Sequence, residues 1–459
     1  MKKKKTKTNR RNFLKTLAGA SLTGFGFPFV LPASALGFSG NIPPADRITL
    51  GCIGTGNQGF QDIKGFLQLD EVQIVAVCDV NKGSYGYKTP AQFLGREPAA
   101  RMVNTHYAQR KRSGIHKGCA VYADFRDIIA RRDIDAVLIV TPDHWHAIPV
   151  LMAARAGKDI YCEKPLALTI AQGQQMVETI RRFGRIFQTG THHRSADQHL
   201  RHCCELIRNG RIGKIKRVVT VLGPHNLRKK NGPWTPMPVP DGFDYDTWLG
   251  PAPWVPYHKN RCFYTFRFIK DYAGGEPTNT GAHSFDIIQW ALDTEHTGPV
   301  EFEDLGSSFS DGDHLYTAVS NVHFRARYAN GTELLCLPAG NYMPDLVGRF
   351  EGSAGWIEAG WYQLKTFPES LKTSVILPDE IHLYKSTNHY QNFIDCVKTR
   401  RDPIAPVEVG HRSTSIAHCA NIAMSLKQKL RWDPDLELFE ANEAANRMLS
   451  RPMRSPWHL

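Results

Sequence analysis

The feature that most limits how this chain can fold is a short apolar stretch, Ile48-Thr49-Leu50-Gly51-Cys52-Ile53, that runs without a break into Gly54-Thr55-Gly56-Asn57-Gln58-Gly59 and a helical pattern reaching Leu69. Three glycines at that spacing between a strand and a helix serve three needs. The first makes a tight turn, the second lets the backbone approach a diphosphate, and the third lets helix and strand pack closely, with Asn57 and Gln58 at the helix start facing the anion. A second buried run, Val72-Gln73-Ile74-Val75-Ala76-Val77-Cys78, ends at Asp79, where a carboxylate can accept from ribose hydroxyls. That points to NAD, while Lys82 close by leaves NADP open. Asp79 also reads as a plain turn or cap residue after a strand.

Strand and helix keep alternating. Residues 119–122 precede a helix over 124–131, and Asp135-Ala136-Val137-Leu138-Ile139-Val140 delivers Thr141-Pro142-Asp143-His144-Trp145-His146. In an open parallel sheet the ligand lies at the carboxyl ends of the strands, so Thr141, Pro142, His144 and His146 are expected to border the cofactor; each histidine also fits a packed loop position. Asp159-Ile160-Tyr161-Cys162 is a further strand leading into Glu163-Lys164-Pro165, and Thr169-Ile170-Ala171-Gln172 fits a capping box for a helix through Phe183. Residues 185–190 form the next strand and deliver His192 and Arg194 towards the same cleft.

The 459 residues carry a net charge of +13, which on a folded surface would suggest a nucleic-acid or membrane partner. Eight of those charges lie within residues 1–35, which contain no acid, and the remainder holds 49 basic against 44 acidic residues, so no nucleic-acid partner is expected. The terminus reads as an address. Asn9-Arg10-Arg11-Asn12-Phe13-Leu14-Lys15 resembles the twin-arginine export motif, an apolar run follows from Thr16 to Leu31, and Pro32-Ala33-Ser34-Ala35 offers a small-residue cleavage site. Residues 1–35 are thus expected to be a twin-arginine signal peptide engaging that export machinery, 36–46 a linker, and the destination periplasmic or otherwise exported by that route. Ten cysteines with no CxxC pair predict neither a disulfide scaffold nor a metal site.

Thr141-Pro142-Asp143-His144-Trp145-His146, the Glu163-Lys164-Pro165 tripeptide and Gly274-Gly275…Gly281-Ala282-His283-Ser284-Phe285-Asp286 together resemble the glucose-fructose oxidoreductase and inositol dehydrogenase family, Gfo/Idh/MocA. The resemblance covers residues 47–459. It implies an α/β chain with a Rossmann dinucleotide-binding domain, set here at 47–168, and a C-terminal α/β domain at 169–459 whose open, mostly antiparallel sheet mediates substrate binding and homo-oligomerisation. Hairpin alternation over 319–337 around Asn330-Gly331, a strand pair at 349–358 and a final helix over 414–429 agree with it.

The resemblance also implies that Lys164 sits beside nicotinamide and substrate hydroxyl, with Glu163 next to it, and that His283 is the main acid/base group, since a carbinol losing hydride must also lose a proton. Where the family commonly has Asp four residues before this histidine, the chain has Asn279, an amide that can hold a hydroxyl but cannot relay a proton by ionising. Asp286, Tyr257 and Arg267 complete the candidate substrate contacts, the last two just after a proline- and tryptophan-rich stretch between Pro224 and Pro256. The expected activity is hydride transfer from a sugar, glycoside or cyclitol hydroxyl, by an exported enzyme with tightly held, recycled nicotinamide. Two other readings stay open: glycosidic cleavage through a transient keto-sugar, and a non-catalytic sugar or nucleotide sensor.

Overall fold

The computed structural model describes residues 42–43, 46–110, 114–223, 233–310, 314–338 and 346–459. The signal-peptide reading and most of the linker therefore lie outside the described residues. Residues 48–459 form one compact unit.

Its first half is a six-stranded parallel sheet: β1 (Ile48–Ile53), β2 (Val72–Cys78), β3 (Ala120–Tyr122), β4 (Ala136–Ile139), β5 (Asp159–Cys162) and β6 (Phe187–Thr189), in the order β3-β2-β1-β4-β5-β6. Helices cover both faces of such a sheet, which is why the central strands are continuous apolar runs rather than alternating ones. β4 and β5 are buried along their whole length. The order reverses between β1 and β4, opening a crevice at their carboxyl ends. Helix α1 (Asn57–Leu67) follows the glycines, and α2 (Arg96–Gln109), α3 (Phe125–Ala130), α4 (Ala147–Arg155) and α5 (Ile170–Phe183) follow in turn. Thr169 caps α5 by accepting from the Gln172 amide at 3.3 Å, while the Gln172 side-chain oxygen accepts from the Leu168 amide at 3.1 Å. The Lys164–Pro165 peptide is cis.

The Rossmann sheet runs past the boundary drawn at residue 168. Strand β6 lies parallel to β5, with Cys162 opposite Thr189, so the first sheet closes only near residue 190. Sequence order hides a second exchange. Helix α8 (His389–Thr399), far down the chain, packs Phe393 edge-on against Phe66 and Tyr161 of the Rossmann core, at 6.2 and 5.9 Å.

The second half is a nine-stranded sheet backed by helices α6 (Gln198–Arg208), α7 (Gly281–Leu292) and α9 (Val407–Leu426). Its strands are β7 (Ile215–Leu222), β8 (Glu301–Asp304), β9 (Phe324–Arg327), β10 (Glu333–Pro338), β11 (Leu346–Gly352), β12 (Trp356–Gly360), β13 (Leu364–Phe367), β14 (Lys429–Asp433) and β15 (Leu438–Phe439). Their order is β13-β12-β11-β7-β10-β9-β8-β14-β15, antiparallel throughout except for β7 beside β10. The β9–β10 hairpin turns at Asn330-Gly331, where Gly331 takes φ +87°.

Two readings shift. Residues 319–321 do not extend the hairpin; they pair with Ser308–Phe309 as a separate ribbon. The last long helix begins at Val407, directly after Pro406, and ends at Leu426, where Lys427 turns left-handed (φ +54°) and hands the chain to β14. All ten cysteines are buried and unpaired, small apolar fillers rather than a scaffold.

Candidate active site

At the crevice the glycine loop is held by backbone, not by side chains. Gly54 sits at φ +90°, and a Cβ there would lie 2.4 Å from the Val140 carbonyl oxygen; a Cβ on Gly59 would lie 2.2 Å from the Gly54 carbonyl oxygen. The first and third glycines are thus required by the contact of α1 with β1 and β4. The N-cap of α1 is Gly56, which supplies no side-chain acceptor, and the first turn holds no acid, so its amides are left for an anion. Asn57 and Gln58 line the cavity in front of it with their side chains already engaged, Asn57 by Gln92 at 3.0 Å and Gln58 by Asp62 at 2.9 Å.

Asp79 closes the end of β2. One carboxylate oxygen accepts from the Thr55 amide (2.7 Å) and hydroxyl (3.0 Å), the other from the Asn81 amide (2.8 Å). These bonds, which favour the charged form, work against burial, which pushes its pKa up. The cavity beyond has a volume of about 320 Å³ and reaches from Asp79 past Thr141 and Pro142 to Lys164, Arg267 and Asn279. Two buried oxygens in its wall, Thr141 Oγ1 and Glu163 Oε1, have no hydrogen-bond partner among the described residues. A dinucleotide fits this wall: glycines where backbone must approach, free amides at a helix start, and orphaned oxygens at the other end.

Lys164 projects from the end of β5. Its Nζ donates to the Asn279 carbonyl at 3.0 Å and lies 3.4 Å from the Asn279 side-chain oxygen, while the Asn279 amide nitrogen donates to Glu276 at 3.3 Å. Burial lowers the Lys164 pKa, and the charge of Arg267 lowers it further against the opposing pull of Glu163. Glu163 accepts from the Lys164 amide at 3.1 Å; burial and the neighbouring Asp62 raise its pKa well above the carboxylate range. Asp143, which sequence reasoning passed over, also faces the cavity, its pKa pushed up by burial to about 7.

His283 stands in the first turn of α7, just beyond Asn279. Its ring lies 5.2 Å from His192, 4.7 Å from His193 and 5.9 Å from Trp361, and its Nδ1 has no partner among the described residues. Burial first and Lys164 second hold its pKa well below the usual imidazole value, and burial takes His192 down to about 4. Both rings are neutral near pH 7, so each has a nitrogen able to accept a proton. His193, which stacks on Trp361 at 4.1 Å and bonds Asp197, is a neighbour that the chain order alone did not single out.

Five expected contacts are placed elsewhere. Arg194 and Asp286 are 1% exposed and bind each other at 2.7 Å, with Glu295 taking a second Arg194 nitrogen and Ser413 a second Asp286 oxygen at 3.1 Å. They pin the strand β6 region to α7 and do not face the cavity. Tyr257 is buried in an aromatic cluster with Phe243 and Tyr245. His144 turns to the Trp248 carbonyl at 3.0 Å. His146 lies between the carbonyls of Pro165 (2.7 Å) and Thr141 (2.8 Å), a clasp across the ends of β4 and β5. Carbonyls that other segments bring near decide where both rings point, the Trp248 oxygen also accepting from the Trp145 indole at 2.9 Å.

In place of Tyr257, the stretch at 233–272 offers Trp248, Phe263, Tyr264 and Phe266 to the cavity. Arg267 lies 4.0 Å above the Tyr264 ring. Tyr87, from an irregular stretch with no sequence signal, stacks 4.6 Å from Phe263 and comes within 3.2 Å of a Cβ placed on Gly56. Among the described residues, no three His, Cys, Asp or Glu side chains converge as metal ligands would.

A parallel β3-β2-β1-β4-β5-β6 sheet with this glycine loop, joined to an open mixed sheet and faced by the 243–279 connection, defines an NAD-binding oxidoreductase. The chain belongs to the Gfo/Idh/MocA family: residues 48–191 match the oxidoreductase family's NAD-binding Rossmann fold and residues 226–459 its C-terminal alpha/beta domain. It is 31% identical over 196 residues to a "Glycosyl hydrolase family 109 protein" of Shewanella pealeana and 30% identical over 187 residues to one of Shewanella baltica strain OS155. These stretches are 38% of this chain in both cases and span only 38% and 37% of the relatives. Among solved structures, the aldose-aldose oxidoreductase of Caulobacter crescentus complexed with glycerol superposes with a TM-score of 0.57 at 19% identity, covering 84% of this chain and 99% of the other. The WlbA dehydrogenase of Bordetella pertussis in complex with NADH and UDP-GlcNAcA gives 0.57 at 16% identity, with coverage of 84% and 99%. Both share the fold.

Proposed function

We propose that this protein oxidises a ring or chain hydroxyl of a sugar, glycoside or cyclitol, keeps its nicotinamide through turnover, and works after export by the twin-arginine route. The observation that carries the reading is Lys164. It sits at the dinucleotide cavity, is fixed by Asn279, and lies close enough to His283 for its charge to depress that imidazole. Bound nicotinamide supplies the hydride acceptor and donor. The protein's own part is to orient and deprotonate. The Lys164 ammonium donates to the substrate oxygen, and neutral His283 accepts the hydroxyl proton as negative charge builds there. Outside the cytoplasm the cofactor has no free pool to exchange with, and the Tyr87–Phe263 pair beside the glycine loop favours retention. The open nine-stranded sheet is the natural face for a homo-oligomer.

A second reading is redox-neutral glycosidic cleavage. Oxidation of a ring hydroxyl to a ketone acidifies the adjacent C–H, elimination expels the glycosidic oxygen, and hydration and re-reduction restore the sugar. The glycosyl hydrolase family 109 relatives favour it. So does Asn279, which holds Lys164 where an ionising relay is absent.

The test is to isolate the exported protein, denature it, and quantify released nicotinamide by mass spectrometry. Equimolar cofactor supports the retained cycle, and an empty protein overturns it. Cleavage of aryl glycosides with no added acceptor selects the second reading, whereas an absolute need for a second carbonyl compound selects the first. Sizing the same preparation reads the oligomer.

A further inference from the structure

A second cavity, about 190 Å³ in volume, lies outside the oxidoreductase site. Lys270, Arg451, Arg447, His418, Asn421 and Ser425 line its polar side, Ile170, Phe309 and Ile422 its apolar side, and among the described residues no carboxylate lines it. Arg447 is satisfied by Glu443 at 2.5 Å. The other two cations are not. Neither Lys270 nor Arg451 forms an ion pair among the described residues. The Lys270 ammonium reaches only the Ser425 hydroxyl at 3.4 Å and the face of Phe309 at 5.2 Å, and Arg451 donates to the Lys270 carbonyl. Asp271 is the acid whose charge reaches both, without contact.

Two like charges beside an apolar floor, with no carboxylate in contact, repel each other, and burial together with Arg451 lowers the Lys270 pKa. His418, neutral and bonded to the Ala167 carbonyl at 3.0 Å, adds no charge of either sign. The positive potential therefore meets no carboxylate in the wall of a concave site too small for a drug-sized ligand and large enough for a small metabolite.

We propose that this cavity binds a small phosphate monoester, its phosphoryl dianion between Lys270 and Arg451 and its organic part over Ile170, Phe309 and Ile422. Two neighbouring cations match a dianion, and the apolar floor gives a carbon skeleton something that inorganic phosphate would leave unused. The site also touches the catalytic machinery through one short segment. Arg267 and Asn279 face the dinucleotide cavity, while Lys270 and Gly274 between them line the second one. That segment is internally tied: the Gly275 amide donates to the Arg267 carbonyl at 3.1 Å, and Asn421 donates to the Gly274 carbonyl at 2.8 Å. Ligand binding at Lys270 orders the stretch that presents Asn279 to Lys164.

The experiment is calorimetric titration of the nicotinamide-loaded full chain with glycerol 3-phosphate, inorganic phosphate and glycerol, with no carbohydrate substrate present, so its outcome is independent of the proposed reaction. Glycerol 3-phosphate is expected to bind at one site, at least tenfold more tightly than inorganic phosphate, with glycerol silent. Lys270→Gln and Arg451→Gln, each checked for an unchanged melting curve, are expected to weaken binding at least tenfold, and Lys164→Gln to leave it unchanged. Hydrogen exchange of residues 267–279 is expected to slow on saturation. The proposal is overturned if no phosphate binds, if Lys164→Gln abolishes binding and so places the anion in the dinucleotide cavity, or if inorganic phosphate binds as tightly as the ester.

Discussion

The two walls of the oxidoreductase cavity are built on different principles. On the Rossmann side the critical contacts are backbone to backbone: Gly54 against the Val140 carbonyl and Gly59 against the Gly54 carbonyl. On the opposite side they are side chains of the 243–279 connection, among them Trp248, Tyr264, Arg267 and Asn279. Behind Asn279 stands His283, packed against His192, His193 and Trp361. Backbone geometry fixes where a cofactor can lie, and side-chain chemistry sets what happens beside it. The glycine wall should therefore govern binding and folding, and the cluster where Lys164 reaches across to Asn279 and His283 should govern rate.

The sharpest test is Lys164→Ala. Loss of the group that orients the substrate oxygen is expected to lower kcat by about 10³- to 10⁴-fold while bound nicotinamide stays equimolar. Single-turnover kinetics with cofactor quantified on the same sample reads both. A parallel fall in cofactor content would erase the distinction between the walls.

Arg194→Met separates chemistry from the scaffolding behind the second wall. The guanidinium is fully enclosed by Asp286 and Glu295, so its removal leaves buried carboxylates uncompensated and is expected to cost about 3–5 kcal/mol of stability. Denaturant unfolding measures that cost. Rates per folded molecule at low temperature should stay within a fewfold of the parent; a loss like that of Lys164→Ala would return Arg194 to the site.

That residue also shows where the sequence stops being legible. The glycine loop, β5 with its Glu163-Lys164-Pro165 and the Asn330-Gly331 hairpin are local patterns, with every residue that decides the geometry within a few positions. Arg194 and Asp286 were visible as charges near the right strands. Their mutual contact spans 92 residues and could not be read from either neighbourhood. His144 and His146 stand on the expected loop, yet their rings turn to the Trp248 and Pro165 carbonyls, which other segments supply. Tyr87 and Trp361 lie in a turn region and a strand connection whose local sequence carries no period, so only the assembled fold brings them to the site. β6 escaped the first domain because strand pairing, not composition, assigns a strand to its sheet.

Within the glycine wall the positions are unequal, and substitution should rank them. A Cβ on Gly59 meets backbone at 2.2 Å, which cannot yield without moving α1; one on Gly56 meets the Tyr87 ring at 3.2 Å, a side chain that can give way. Gly59→Ala is expected to lose about 2–3 kcal/mol of stability together with its cofactor, and Gly56→Ala about 1 kcal/mol or less with cofactor loosened. Thermal melts and released nicotinamide, measured side by side, check the order, and equal effects would mean that the loop is less tightly built than these contacts imply.

The smallest effect lies in the pH profile of the second wall, and its sign follows from burial. Lys164 works as the ammonium, and its pKa lies below the ordinary 10.5, so activity should fall as pH rises through that lowered value, with an alkaline limb ahead of 10.5. His283 works as the neutral imidazole, and its pKa lies well below 6.5, so its working form is present on both sides of 6.5 and no acid limb should appear there. His192, at about 4, is likewise silent near neutrality. A kcat/KM profile flat across pH 6.5 and falling on the alkaline side is the expected outcome. Replacing Lys164 with Arg, which keeps its charge over the whole range, should remove the alkaline limb from whatever activity remains. An acid limb centred near 6.5 would mean that His283 is solvated in the working enzyme, and that the wall holding it opens further than the packing against His193 and Trp361 allows.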